Sequence, residues 1–444
     1  MNKLISFFIF FLFFFSLKSQ SSHNIEIIFD STNNKFSVKQ IIIINDSIFN
    51  NNLDLYLYDW NNAYSSFNSI LSKKLYSEYD SSLLKPQSNL VGRTEIKNIL
   101  INDSDVSWVR LEKNIDIIKI EKKTFAKNKN YTIILNYDLY LPKYSITNNG
   151  NKNNSLFYLK NSFLRVIPFS KKNVIVQSNI NLDDQYVYNS DFNLKVLNHS
   201  KFRIFTNAEL IESNNSFIRY RLHNSKSLEL IFDSLSDFKK NNINDFILYN
   251  NSTNIEISDK EILHRINNFI YSKFDNPVKK IIINKETLLD YSIKPYSDIP
   301  AFISPIEKNV LMELNIIKLL ISKNLYNTLN FNKRNNYWFF SGLETYFLNE
   351  YISKYYNDLK LLGKYSDLFF IKKHNLSIYK FYDQFKLVNQ FVSTRNIDQN
   401  LSLSSDKLTR FNYRLNSPYL SYFNLTYLRK FLGKDSFDIT IKKI

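Results

Sequence analysis

Two stretches, Lys318-Leu319-Leu320-Ile321-Ser322 and Trp338-Phe339-Phe340-Ser341-Gly342-Leu343-Glu344-Thr345-Tyr346, decide how the rest of the chain is read. The first sits in a run where Val310, Leu314, Ile317, Ile321 and Leu325 recur on one face at helical spacing. The second opens another long helix, expected from Trp338 to about Tyr356, after the polar loop Asn330 to Asn336. Upstream lies an irregular stretch through Pro295, Pro300 and Pro305, preceded by a strand expected over Val278 to Ile283. Before that strand, Ser258 and Glu261 form a capping box for a helix carrying Ile262, Ile266, Phe269 and Ile270, and Pro277 forbids its continuation. Beyond Tyr356 the chain reads as helix and loop without an internal repeat.

From roughly Asn24 to Phe238 the period is that of strands. Ile133, Leu135, Tyr137, Leu139 and Leu141 alternate with polar neighbours until Pro142 stops the run. Ile115 to Ile120 is the expected hairpin partner, across a polar turn at Ala126 to Asn130. Phe192, Leu194 and Val196 are expected to pair with Phe202, Ile204 and Phe205. The fold class is therefore α+β, with an antiparallel β domain over residues 21–240 and a mainly helical domain over residues 241–444.

With 444 residues, 44% hydrophobic and 22% charged, the chain has the composition of a large folded protein. Its 5 glycines are too scattered to build a phosphate-cradling loop, which excludes P-loop and dinucleotide chemistry of that kind. No cysteine is present, so there is neither a disulfide framework nor a thiolate nucleophile. The net charge of +17 is spread through pairs such as Lys73-Lys74 and Lys279-Lys280, with no basic stripe, and a nucleic-acid partner is not expected. The histidines, at 23, 199, 223, 264 and 374, are too far apart for an H-x-x-x-H metal pair, and no G-x-S-x-G elbow marks a nucleophilic serine.

Residues 1–20 read as a signal peptide: Lys3 precedes an apolar core, Leu4 to Phe15, and a small or polar end, Ser16 to Gln20. The apolar core is shorter than the ~20 residues a spanning helix needs, so cleavage is expected and an anchor is the alternative. The mature protein is then secreted or periplasmic, with no stable membrane span.

The segment from Trp338 to Tyr346 resembles the W-L-x-E-G-L-x-x-Y signature of gluzincin metallopeptidases of the alanyl-aminopeptidase type. In that family the signature glutamate is the third zinc ligand, and eighteen residues separate it from the second histidine of H-E-x-x-H. Counting back from Ser341 across residues 323–340 lands on Lys318 to Ser322. The resemblance thus puts Lys318 and Ser322 where the zinc histidines stand, Leu319 where the water-activating glutamate stands, and Ser341 at the third ligand. All four chemical positions are changed. The exopeptidase segment, G-x-M-E-N, corresponds to Ser292 to Ala301, which contains no Glu. Tyr413 and Tyr419 fall in the region of the family's transition-state tyrosine. The resemblance covers about residues 24–430 and implies a saddle-like β domain followed by a thermolysin-like domain, with the family's C-terminal helical domain absent or truncated.

The expected function is therefore that of an exported, catalytically inactive pseudopeptidase that binds a peptide or protein in a cleft between the two domains, without a cofactor. Lys318, Leu319, Ser322 and Ser341 are its vestigial positions; Trp338, Gly342, Glu344 and Tyr346 are candidate cleft residues. Trp338 and Tyr346 read more readily as core aromatics than as ligand platforms. Lys318 reads as a packed stem carrying its charge to water, or as an ammonium filling the metal's volume beside Glu344 or Glu350. Glu313 is out of register and reads as solvated. One alternative is an active zinc aminopeptidase with ligands elsewhere, and another is a β-rich surface or adhesion protein. The first reading expects Lys318, Ser322 and Ser341 to converge on the floor of a cleft.

Overall fold

The computed structural model describes residues 21–443 apart from 31–32, 34, 46–53, 85–90, 122–129, 170–173, 198–200, 236–238, 244–245, 251–259, 284–287 and 289. The signal-peptide reading, most of the Ala126 to Asn130 turn and Ser258 of the capping box lie outside the described residues.

An eight-stranded sheet runs through the first half in the order Glu209–Ser213, Phe217–Ser225, Ser190–Leu197, Ser21–Asp30, Lys35–Asn45, Asn130–Tyr140, Arg93–Ile101, Ser104–Asp105. It is mostly antiparallel, with one parallel pair between Ser21–Asp30 and Ser190–Leu197. The alternation expected along Asn130–Tyr140 is real: Ile133, Leu135, Tyr137 and Leu139 are buried in one core. Two four-stranded sheets, built around Leu55–Tyr58 and Leu156–Lys160, supply Leu57, Ile118, Phe157 and Phe232 to that same core. The layers are therefore held by shared apolar burial rather than by sequence neighbours.

Two expected pairings differ. Ile117–Ile120 does not pair with Asn130–Tyr140; it lies between Leu55–Tyr58 and Trp108–Arg110 in another sheet. Ile117, Ile118 and Ile120 are all fully buried, Ile117 among Trp60, Ile167 and Val187 and the other two in the large β core, and a place covered on both faces outweighs the nearest strand in sequence. Ser190–Leu197 does not pair with Arg203–Thr206; it takes Ser21–Asp30 and Phe217–Ser225, while Arg203–Thr206 joins Glu229–Asp233.

The second half packs helices around Leu314, Ile317, Ile321, Leu343, Tyr351 and their neighbours. The helix Lys260–Lys273 and the strand Lys280–Ile283 occur where the periodicity predicts them. The two long helices are Lys308–Thr328 and Tyr337–Tyr355, joined by a short loop. A further helix, Ser417–Leu432, lies along the second of them; Gly342 faces it, and a Cβ built there would come within 2.8 Å of Ser421 Cβ. Glu313 is not solvated. It is 1% exposed, with Arg265 donating to Oε2 at 2.8 Å and the hydroxyls of Tyr351 and Tyr356 donating to its two oxygens. The aromatic run at the end of the second long helix supplies the two hydroxyl donors that make this burial tolerable.

Overpacking costs about 1–3 kcal/mol, and the few tenths of a kcal/mol that valine gains over glycine in helix propensity offset little of it. Gly342→Val is expected to lower the urea midpoint by the equivalent of about 2–3 kcal/mol. A midpoint equal to wild type would show that the two helices are not in close contact at Gly342.

Candidate active-site cleft

A cleft of about 360 Å³ opens between the β half and the helices. Lys318, Ser322, Ser341 and Glu344 all line it. Lys318 and Ser322 are four residues apart on one helix, so they share a face, and the loop 329–336 turns the next helix back to bring Ser341 alongside. Ser322 and Ser341 are 2% and 1% exposed. Lys318 is not carried out to water. Its Nζ stands 3.9 Å from Glu344 Oε2 and donates to the Ser292 carbonyl at 3.4 Å. Glu350 is engaged elsewhere, 2.6 Å from Lys273.

Leu319, one position round the helix, belongs to the helical core and not to the cleft. Trp338, Gly342 and Tyr346 do not line the cleft either. Trp338 packs edge-on against Phe339, Gly342 faces Ser421 and Leu425, and Tyr346 lies among Phe347, Tyr422 and Phe437. On a helix of 3.6 residues per turn, positions 337, 341 and 344 share the cleft face, whereas 338, 342 and 346 fall on others. Tyr413 lines the cleft, where Asn181 Nδ2 donates to its hydroxyl at 2.9 Å and its ring stacks on Tyr337 with centroids 4.5 Å apart. Tyr419 lies outside, donating to the Lys294 carbonyl.

The facing wall is the segment Asn179 to Asp184. It is moored on one side by Asp116, which accepts from Ser178 Oγ at 2.7 Å and from the Asn179 amide at 2.6 Å. On the other side, Arg334 donates to both carboxylate oxygens of Asp184 at 2.8 Å and to the Ser178 carbonyl at 2.9 Å. Burial would raise the Asp183 carboxyl, but the Lys160 and Lys333 ammoniums hold it well below the usual carboxylate range. Lys333, itself lowered by burial, donates to the Asp183 carbonyl at 3.0 Å. This wall and its cations were missed from sequence; the adjacent pair Lys333-Arg334 inside a short loop was the available signal.

Whether zinc suits this floor is a question of donors. Zinc takes thiolate, neutral imidazole and carboxylate ligands in a tetrahedron. The floor offers one carboxylate, Glu344, two serine hydroxyls and an ammonium, and no histidine among the described residues lines the cleft. No described group of three or more histidines and carboxylates is placed to hold a metal ion. A positive side chain beside the single acid repels a dication, so these residues do not fit the metal.

No family model matches the sequence, and no curated protein matches it by sequence. Its structure nevertheless resembles known ones. The yeast LTA4 hydrolase in complex with bestatin matches with a TM-score of 0.53 at 12% identity, over 95% of this chain and 61% of that one. The native yeast enzyme gives the same values. An M1 zinc metallopeptidase mutant from Deinococcus radiodurans matches with a TM-score of 0.51 at 9% identity, over 96% of this chain and 85% of that one. At such identities the likeness establishes the fold, an N-terminal β-sheet domain and a C-terminal helical domain as in M1-type metallopeptidases. The chain spans about 61% of the length of the yeast structures.

Asp116 makes the wall sensitive to pH. Burial raises its carboxyl to about 6 in spite of the two donors. Between about pH 4 and 6 the native chain keeps a proton that the unfolded chain has released, so stability falls as pH rises through that window and levels above it. The loss is at most about 3 kcal/mol. Burial raises Asp290 to about 6 as well, so urea titrations at several pH values should show a shallower fall of stability across this window in Asp116→Asn than in the wild type; equal slopes would contradict it.

Proposed function

We propose that this chain is an exported pseudopeptidase, a peptidase-fold protein that binds a polypeptide in its cleft and does not hydrolyse it. The carrying observation is the meeting of Lys318, Ser322 and Ser341 in one cleft, at the positions the resemblance assigns to the metal ligands. Hydrolysis in that family uses a metal-bound water whose pKa the metal lowers. At the corresponding floor Lys318 brings an ammonium near Glu344, and Leu319 turns a hydrocarbon into the helical core instead of a base toward substrate. A cleft of about 360 Å³ is within the size range of ligand pockets and offers polar groups along both walls. An extended chain lying there can be held by backbone hydrogen bonds, which need no metal. Among the described residues no helix is long and apolar enough to cross a membrane.

Purified full-length protein, equilibrated with excess zinc and dialysed, is expected to retain far less than one zinc per chain and to leave aminoacyl reporter substrates intact. Stoichiometric zinc together with reporter hydrolysis, both abolished by chelator, would overturn this function.

A further inference from the structure

We propose that the cleft selects an acidic polypeptide, gripping side-chain carboxylates of the bound chain with Lys318 on the floor and with Arg410 and Arg414, which line the same cleft. This rests on the peptide-binding reading above and adds the chemistry of the ligand.

Much of the charge in the cleft is already neutralised within the protein. Lys160 is paired with Asp183, Lys294 with Asp298, Lys74 with Glu78 at 3.1 Å, and Asp184 with Arg334 at 2.8 Å. Four lining cations are left over. Lys318 has only the two long contacts, 3.4 and 3.9 Å, already described. Lys333 donates to a carbonyl and lies 4.2 Å over the Phe340 ring. Arg410 and Arg414 are exposed and make no ion pair with a described residue. Against these four stand two further lining acids, Glu344, 3.9 Å from Lys318, and Asp290, which feels the charge of Arg414, so 4 − 2 leaves an excess of two positive charges facing the space. Such an excess in a concave site draws in anions and repels cations.

Arg414 and Tyr413 belong to a π-helical turn, Asn412–Asn416. Such turns are rare and recur at functional sites, because the extra residue moves side chains off the regular helical register. Tyr413 is fixed there by Asn181 and by stacking on Tyr337, which gives the arginine beside it a firm base. Arginine presents a planar fork that matches a carboxylate with two parallel hydrogen bonds, and lysine adds a point charge. Phosphate could satisfy the same groups, but no glycine lines the cleft, so it lacks the backbone N–H cradle typical of phosphate loops.

The test uses full-length protein and two fluorescein-labelled hexapeptides, one with two central glutamates between alanines and one with glutamines in their place. In polarisation titrations at low salt the glutamate peptide should bind at least about tenfold more tightly. The double variant Arg410→Gln, Arg414→Gln changes exposed residues and should fold as wild type by circular dichroism, with the ratio lowered several-fold and the remainder left to Lys318. Equal binding of the two peptides to wild type would overturn the acidic preference and leave peptide binding standing. Binding of neither would remove both. A ratio unaltered in the double variant would overturn the role of the arginines. Displacement of the glutamate peptide by inorganic phosphate far better than by acetate at equal ionic strength would overturn the carboxylate assignment.

Discussion

Arg334 holds the two halves of the molecule at a fixed separation. It sits in the loop between the two long helices, almost completely buried, and its fork closes on Asp184 of the β half. An isolated buried guanidinium would be very costly, and removing one partner of such a pair typically costs about 3–5 kcal/mol. The pair therefore specifies a register between helices and sheet as much as it stabilises them. Neighbouring contacts reinforce it: Lys323 donates to both oxygens of Glu229, and Tyr326 donates to the Gln185 carbonyl at 2.6 Å. With these in place, the face carrying Lys318 and Ser322 must look across open space at the Asn179 to Asp184 wall.

That geometry gives the cleft its character. A site built around a divalent cation needs converging acids and imidazoles, whereas this floor converges an ammonium, two hydroxyls and one acid. The fold is similar to that of zinc peptidases, but fold and chemistry are separable, and the chemistry follows from side chains at a few positions. Lys318 is held inward by Glu344 and the Ser292 carbonyl, and its charge thereby becomes a property of the cleft instead of the bulk surface.

Local periodicity made the helices legible. Lys308–Thr328 and Tyr337–Tyr355 follow from apolar spacing and an intervening polar loop, and the strand Asn130–Tyr140 follows from strict alternation. Strand partners were not legible, because Ile117–Ile120 chooses its neighbours by burial across distant segments. The floor of the cleft was readable from register alone, since Lys318, Ser322 and Ser341 are tied by helix geometry and one short loop. The wall was not. Asp184 and Arg334 are 150 positions apart, and Lys333-Arg334 in an asparagine-rich loop reads as solvated until the fold closes over it. Glu313 misled for the same reason: its burial depends on Arg265, Tyr351 and Tyr356, which are brought together only by tertiary packing.

Diffraction from crystals grown with zinc, recorded on both sides of the zinc absorption edge, addresses the centre of this account. The expected result is no anomalous density on the cleft floor, with the Lys318 ammonium between Glu344 and the Ser292 carbonyl. A strong anomalous peak bound by Ser322, Ser341 and Glu344, with Lys318 swung away, would contradict it.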